Sequence, residues 1–536
     1  YKLDKDRTLS FNVNYLYDKE KQNATDESRY LLDDGTRYVI QESNQALVGQ
    51  HFVGGHVAYK LNSSKSYLKN NLSVNASFPK NEGLVNDFVA QTLSGHSFLL
   101  SNVMKANYKK KNGGVADLEW KASFADKRGV LNMSETKMSQ LLRQRNFQSE
   151  ATGSLLAFTI PHLMFNLNGK VMFDWQRVSA GLNSLSDASG SEQKTWLLGA
   201  FVSPKILLHF GNRLQWLVYV PVGVKYYHSA DGSLDYDKRF FSTCPYSNLT
   251  YKPTGRLSFD LTTICEESMP SVLSQMVLKH YVNYRTTMSN PHQVEIAPNR
   301  SVKLAFTSSY KDIIKMLFGG VTLSYVDARN GNSMGYQVVD DVVNYIVQPQ
   351  STKNRVWQIE QTVAKGFFRW NSKISESISI GTSRSEYYIG GDCHDGRSDY
   401  LQAKISYVAS VRKWLNLSIS NDYSVSKPYT DGKASGEVYR TFMNASSFTF
   451  WLGKQLNVVP SVQYYHNNYF SSGRNNVFLN TVMEYYWGNA TLSLKCTNLL
   501  DRRTFHRIID NGITRYSGEY QLRGRTILFG IRIKII

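Results

Sequence analysis

Four side chains able to do chemistry stand in a row in the run Gly390-Gly-Asp-Cys-His-Asp-Gly396. Asp392, Cys393, His394 and Asp395 offer carboxylate, thiol and imidazole donors suited to a metal or an iron chelate. Successive residues of a strand point to opposite sides, so neighbours in sequence rarely converge on one ion. With glycines on both sides, the run reads as the polar turn of an external loop, and no metal ligands are assigned.

Cys244 and Cys265 are the second candidate. They lie about equally far from a turn centred on Pro253–Gly255, level with each other on one hairpin. Face parity works against a disulfide. Leu249 and Tyr251 share odd numbering with Leu257 and Phe259, which puts the two thiols on opposite faces unless a bulge intervenes. Pro245 can supply that break. The other two cysteines, Cys393 and Cys496, form no CxxC pair with any partner, so zinc and dithiol redox motifs are absent from the sequence.

Ser, His and Asp are plentiful, yet none sits in a strand–elbow–helix context, and an enzyme is not expected. No cofactor is implied. Tyr464, Tyr465, His466 and Tyr469 cluster beside one proposed loop, and Tyr485, Tyr486 and Trp487 beside one proposed turn. An aromatic ligand platform is one reading. Aromatic girdles at two membrane interfaces are the more ordinary one.

The elements that carry these residues have one texture throughout the 536 residues. No Pro-rich, Gly/Ser or single-sign linker divides the chain, which argues for one large repetitive architecture over residues 1–536. Tyr (34) and Phe (26) are abundant while Pro numbers only 12, a balance that favours strands. The longest uncharged apolar stretch, near Leu214–Val224, is far short of the roughly 20 residues a membrane helix needs. The net charge of +19 comes from scattered Lys and Arg, with one run at Lys109–Lys111. A nucleic-acid partner is not expected. A basic surface beside anionic lipid, or a basic lumen for an anionic solute, suits the pattern.

Period-2 alternation recurs along the chain. Leu9, Phe11, Val13, Tyr15 and Tyr17 share one face, and Val53, Gly55, Val57, Tyr59 and Leu61 another. Leu163, Phe165, Leu167, Val171 and Phe173 oppose Asn166, Asn168, Lys170 and Asp174. Leu415, Leu417 and Ile419 oppose Asn416, Ser418 and Ser420. Short turns are expected near 62–66, 109–114, 161–162, 211–213, 252–256, 310–315, 366–371, 410–414, 453–456 and 488–489. Longer polar segments alternate with them, among them 79–97, 126–150, 265–300, 327–353, 424–438 and 499–522. With a first strand at Leu9–Tyr17 and a last at Arg523–Ile535, the count is about 22.

Short turns at one end and long loops at the other are the mark of an outer-membrane barrel. The expected fold is therefore all-β: a transmembrane antiparallel up-and-down β-barrel with short periplasmic turns and long extracellular loops. It must close, because an open edge in lipid leaves backbone groups unpaired. Barrels of that size carry a plugged lumen.

The C-terminal run Leu492-Ser-Leu-Lys-Cys-Thr-Asn-Leu-Leu-Asp501, with Phe505 beyond it, resembles the penultimate-strand motif of TonB-dependent outer-membrane receptors. The style is similar to receptors of Bacteroides-like bacteria. Arg523–Ile536 resembles the family's closing strand, with Ile527, Phe529, Ile531, Ile533 and Ile535 on one face, although it ends in Ile536 and not in an aromatic residue. The resemblance covers the chain as a barrel only. An N-terminal plug domain and energy-coupling box are not expected within it.

That resemblance implies a Gram-negative outer-membrane active transporter importing a scarce large solute such as an iron chelate, haem, cobalamin, an oligosaccharide or a peptide. Its implied partners are outer-membrane lipid and lipopolysaccharide, the TonB complex acting through the missing N-terminal part, and a surface lipoprotein. The alternative is a passive outer-membrane pore or surface receptor without energy coupling.

Overall fold

The computed structural model describes residues 3–32, 34–109, 115–183, 188–231, 235–339, 341–469, 474–510 and 513–533. Thirty-one β segments belong to one sheet. Many of them are parts of a single leg. Leu214–Tyr219 and Val222–Ala230 both pair with Ala188–Phe210, one below the other, and are split by Val220-Pro221. Asp235–Thr243 and Tyr246–Tyr251 are split by Cys244-Pro245. Proline lacks the N–H that a ladder needs, so each break falls on a proline.

Ala490–Thr497 continues into Thr504–Asp510, and Thr514–Gln521 into Thr526–Ile533. Five short segments, His280–Tyr281, Thr286–Ser289, Ser333–Val339, Val342–Gln348 and Lys433–Ala434, belong to connections. The thirty-one strands among the described residues exceed the expected count of about 22, because prolines and connections add pieces; with the pieces of each leg joined, a meander of twenty-two antiparallel legs remains.

All the expected short turns that fall on described residues are present, at 63–65, 161–162, 211–213, 252–256, 313–316, 368–371, 413–414, 453–455 and 488–489. The one expected at 109–114 lies outside the described residues. Gly453 and Gly488 take positive φ, 72° and 54°, which tight turns require.

The other end departs from expectation. Segments 79–97 and 126–150 are wall and not loop. Ser66–Val85 and Val89–Lys109 stay paired up to Val85 and Val89. Val115–Met133 and Met138–Ile160 stay paired up to Met133 and Met138. Above the membrane the outer face of a strand meets water, and part of the inner face, including Leu131, Met133 and Met138, packs on the connections. Apolar alternation then disappears while the backbone ladder continues, and the sequence reads as loop.

Residues paired across the wall share a face. The row Tyr59, Asn70, Met104, Trp120, Ala151, Val171, Ala200, Val224, Phe241 runs through nine legs. Val171, Val224 and Phe241 are 55%, 52% and 63% exposed, so this row faces outward. Lys170 is on the opposite face and lines an interior cavity. Among the described residues no helix is long and apolar enough to cross a membrane. The strands do the crossing, with an apolar exterior and a polar interior.

Closure differs in detail from expectation. Thr526–Ile533 pairs with Ala490–Thr497. Among the described residues, the ladder across the seam joins Ala24–Tyr30 of the first leg to Thr514–Tyr520. Arg523 carries the seam further, 2.6 Å from Asp18 and 3.0 Å from Glu20.

Candidate functional site

Two connections at the long-loop end turn inward and cover the opening. In 269–298, Val272 and Met276 are fully buried against Val178 and Ala180, which share the inward face of Lys170. Tyr281 and Tyr284 pack on Leu131, Met133 and Met138. In the hairpin Ser333–Gln348, Tyr336 and Val343 pack with Leu31, Ile40, Ile389 and Ile513. Thr286–Ser289 runs parallel to Val343–Ile346 and joins the two pieces. The expectation of purely antiparallel pairing fails here, because these segments cross the mouth and do not follow the wall.

Polar anchors tie this cap to the rim. The Gln140 amide donates to the Tyr281 carbonyl at 2.7 Å and accepts the Tyr281 N–H at 2.7 Å. Glu42 accepts the Tyr284 hydroxyl and lies 3.2 Å from Arg285. The Tyr336 hydroxyl donates to the Leu31 carbonyl at 2.7 Å. Burial, followed by the Glu42 carboxylate, pushes the Tyr284 phenol well above its ordinary value. His280 is 1% exposed, its Nε2 has no hydrogen-bond partner among the described residues, and burial holds its imidazole below the ordinary value.

Next to the cap lie two cavities that share Asn299 and Asn330 in their walls. The smaller, about 330 Å³, is lined by uncharged groups such as Gln275, Asn290, Asn332 and Met334. The larger, about 710 Å³, is lined by charged ones, among them Lys170, Lys225, Glu267, Arg300 and Arg329. Lys225 and Glu267 form a buried ion pair at 2.6 Å, with 9% and 1% of their side chains exposed. Ser242 donates to Glu267 at 2.9 Å, and Arg300 lies 2.9 Å from its second oxygen.

Of the residues singled out in the sequence, Cys244 lines the larger cavity. Cys244 and Cys265 are neighbours, and both are free thiols. Asp392, Cys393, His394 and Asp395 do not converge. His394 Nδ1 contacts Asp431 at 2.8 Å, while Arg384 donates to Asp395 at 2.7 Å. The aromatic cluster also divides. Tyr464 packs with Phe442, Tyr465 with Phe505, and Tyr469 with Tyr439. Trp370, Trp414 and Trp487 stand exposed at the short turns, where a girdle belongs.

The cap and the cavities escaped sequence reasoning. The available signal was the apolar content of polar-looking connections: Val272, Met276, Tyr281, Tyr284, Tyr336 and Val343 have no use in a solvated loop.

Fold and lining define a class: a membrane-spanning β-barrel of the outer-membrane type, with a polar lumen and a covered mouth. No protein-family model matches the chain, and no curated protein sequence matches it. Among solved structures it is similar to the copper transporter OprC, with TM-score 0.51 and 9% identity over 94% of this chain and 80% of that one. It also matches the ferric yersiniabactin uptake receptor FyuA from Yersinia pestis, at TM-score 0.48 and 10% identity over 96% and 80%. The siderophore receptor PirA from Pseudomonas aeruginosa follows at TM-score 0.39 and 10% identity over 94% and 80%. The likeness to OprC is one of fold.

Proposed function

We propose that this barrel is the translocation path of a TonB-dependent outer-membrane transporter that imports a scarce solute too large for porins. One observation carries the reading. A twenty-two-leg barrel has a lumen wide enough to breach the membrane, and its external mouth is covered by a packed cap beside two cavities. A permanently open pore has no use for a cap with a buried core.

The lumen wall is polar, with Asn166, Asn168 and Lys170 facing in, and suits a hydrophilic plug better than a dry core. Moving a plug takes work, and the outer membrane holds no nucleotide pool of its own. Coupling to the inner membrane through TonB meets that need. The solute classes remain those implied by the resemblance: an iron chelate, haem, cobalamin, an oligosaccharide or a peptide. OprC, whose fold this barrel shares, is by its name a copper transporter.

The test compares solute uptake in cells with and without TonB, using the full gene product. TonB-dependent uptake is the expected result. Equal uptake in both strains would establish a passive pore or surface receptor instead.

A further inference from the structure

We infer that the inner wall at the short-turn mouth is an anion-binding site, built on Lys60, Lys69 and Lys105, for solutes bearing several phosphates or carboxylates. The solute class rests on the transport reading above. The binding site does not.

Lys60 is paired directly with Lys69, and Lys69 with Lys105, so three lysines stand side by side on adjacent legs. The row continues through Glu119 and Thr152 to Lys170, which lines the interior cavity, so these lysines face the lumen. The neighbouring row, Leu61, Leu68, Ala106 and Leu118, is apolar and faces lipid. Lys60 and Lys69 lie within three residues of the strand ends at Asn62 and Ser66, and Lys105 within four of Lys109. The site is therefore at the periplasmic opening.

Like charges placed directly opposite destabilise a sheet. Here two such pairs occur in succession, although a water-filled lumen does not need them. Farther along the same face of the third leg stand Asn71, Ser73, Asn75 and Ser77, which solvate a lumen without repulsion. Local neutralisation is partial. Glu119 lies 3.1 Å from Lys105 and 3.3 Å from Lys121, and Asp117 is the next inward residue toward the turn. Lys60 and Lys69 have no carboxylate partner among the described residues. The Lys60 ammonium sits 5.9 Å from the Tyr67 ring.

A sequence that breaks a local rule without structural gain marks function. Rows of cationic side chains in a pore favour anions. Cross-strand side chains about 5 Å apart match the spacing of charges on one polyanion, so a multivalent anion gains from several lysines at once.

The test reconstitutes the 536-residue chain in planar bilayers under a tenfold KCl gradient, with isothermal titration of inorganic triphosphate at low salt as a second measurement. We expect anion selectivity and triphosphate binding. Both should fall at least tenfold in K60E/K69E/K105E, persist in K60R/K69R/K105R, and be unchanged in K137E at the opposite rim. K60Q/K69Q removes charge without reversing it and covers a triple variant that does not fold. Equal selectivity and equal triphosphate affinity in native and folded lysine variants would overturn the proposal. TonB-independent uptake would overturn the transport reading and leave this site standing.

Discussion

Cys244 and Cys265 are neighbours at the break that Pro245 makes in its leg. The Cys265 N–H donates to the Pro245 carbonyl at 3.1 Å, so Pro245, and not Cys244, stands opposite Cys265 in the ladder. Released from the regular pleat, Cys244 is not held to the face that alternation would give it. A disulfide donor in the periplasm can take two electrons from this pair as two protons leave. We expect the native protein to carry the bond, which would close a loop of about 20 residues and stabilise the barrel by roughly 3 kcal/mol. Mass spectrometry after alkylation without reductant decides it. Alkylation of both Cys244 and Cys265 would rule the bond out, with the exposed Cys393 reporting that the reagent worked.

The leg number and turn positions were legible in the sequence because a lipid belt forces apolar residues onto every second position. Val171 and Phe173 display that constraint, and the same strand loses it beyond Asp174, where the outer face leaves the lipid belt and the inner face packs on the cap through Val178 and Ala180. The cap was not legible for the opposite reason. Met276 and Tyr336 find partners such as Val178 and Leu31 far away in sequence, and no periodicity records such contacts. The parity of Cys244 was legible only as a conditional, since alternation fails at a proline.

Val171 stands near the middle of an outward row and is 55% exposed in the absence of lipid. Val171→Arg places a charge in hydrocarbon and should cost roughly 2–4 kcal/mol at the midplane. Urea titration of folding into lipid vesicles measures it. An unchanged folding free energy would show that this face does not meet lipid.

Asn498 explains part of the C-terminal motif. It takes φ 53°, accepts the Arg502 N–H at 2.9 Å, and donates to the Arg502 and Arg523 carbonyls at 2.8 and 2.7 Å. One side chain thereby ties the penultimate leg to the closing one. Asn498→Ala should lower stability by about 1–2 kcal/mol, the cost of leaving part-buried backbone groups unpaired. Asn498→Gly, which tolerates the same φ, separates the two causes: a loss equal to that of alanine assigns it to the hydrogen bonds.

His280 gives the cap a pH dependence. Burial depresses its imidazole, so the unfolded segment binds the proton more readily than the packed one. The stabilisation is complete above the ordinary imidazole value of about 6.5 and is lost as pH falls through the lower folded value. Amide exchange in 272–290 should therefore quicken below about pH 6, and His280→Gln should flatten the profile. Exchange independent of pH-driven opening in the native protein, after correction for its chemical rate, would remove His280 from this role.

Glu267 holds the last prediction, because it joins two cations and a serine hydroxyl at one point of the cavity wall. Lys225 reaches it at 2.6 Å with almost no exposure, and Arg300 reaches its other oxygen at 2.9 Å. A buried pair of this kind adds little over an apolar substitute, but removing one partner strands the other. Glu267→Ala leaves the Lys225 ammonium buried beside Phe201, whose ring it approaches at 5.9 Å. The expected loss is roughly 3–5 kcal/mol in urea-induced unfolding. Lys225→Met strands Glu267 less severely, since Arg300 and Ser242 still hold it, so its loss should be smaller. The double variant E267A/K225M should recover most of the stability lost in Glu267→Ala. Additive losses in the double variant would mean that the two side chains act independently, and that the ion pair does not hold this wall of the cavity together.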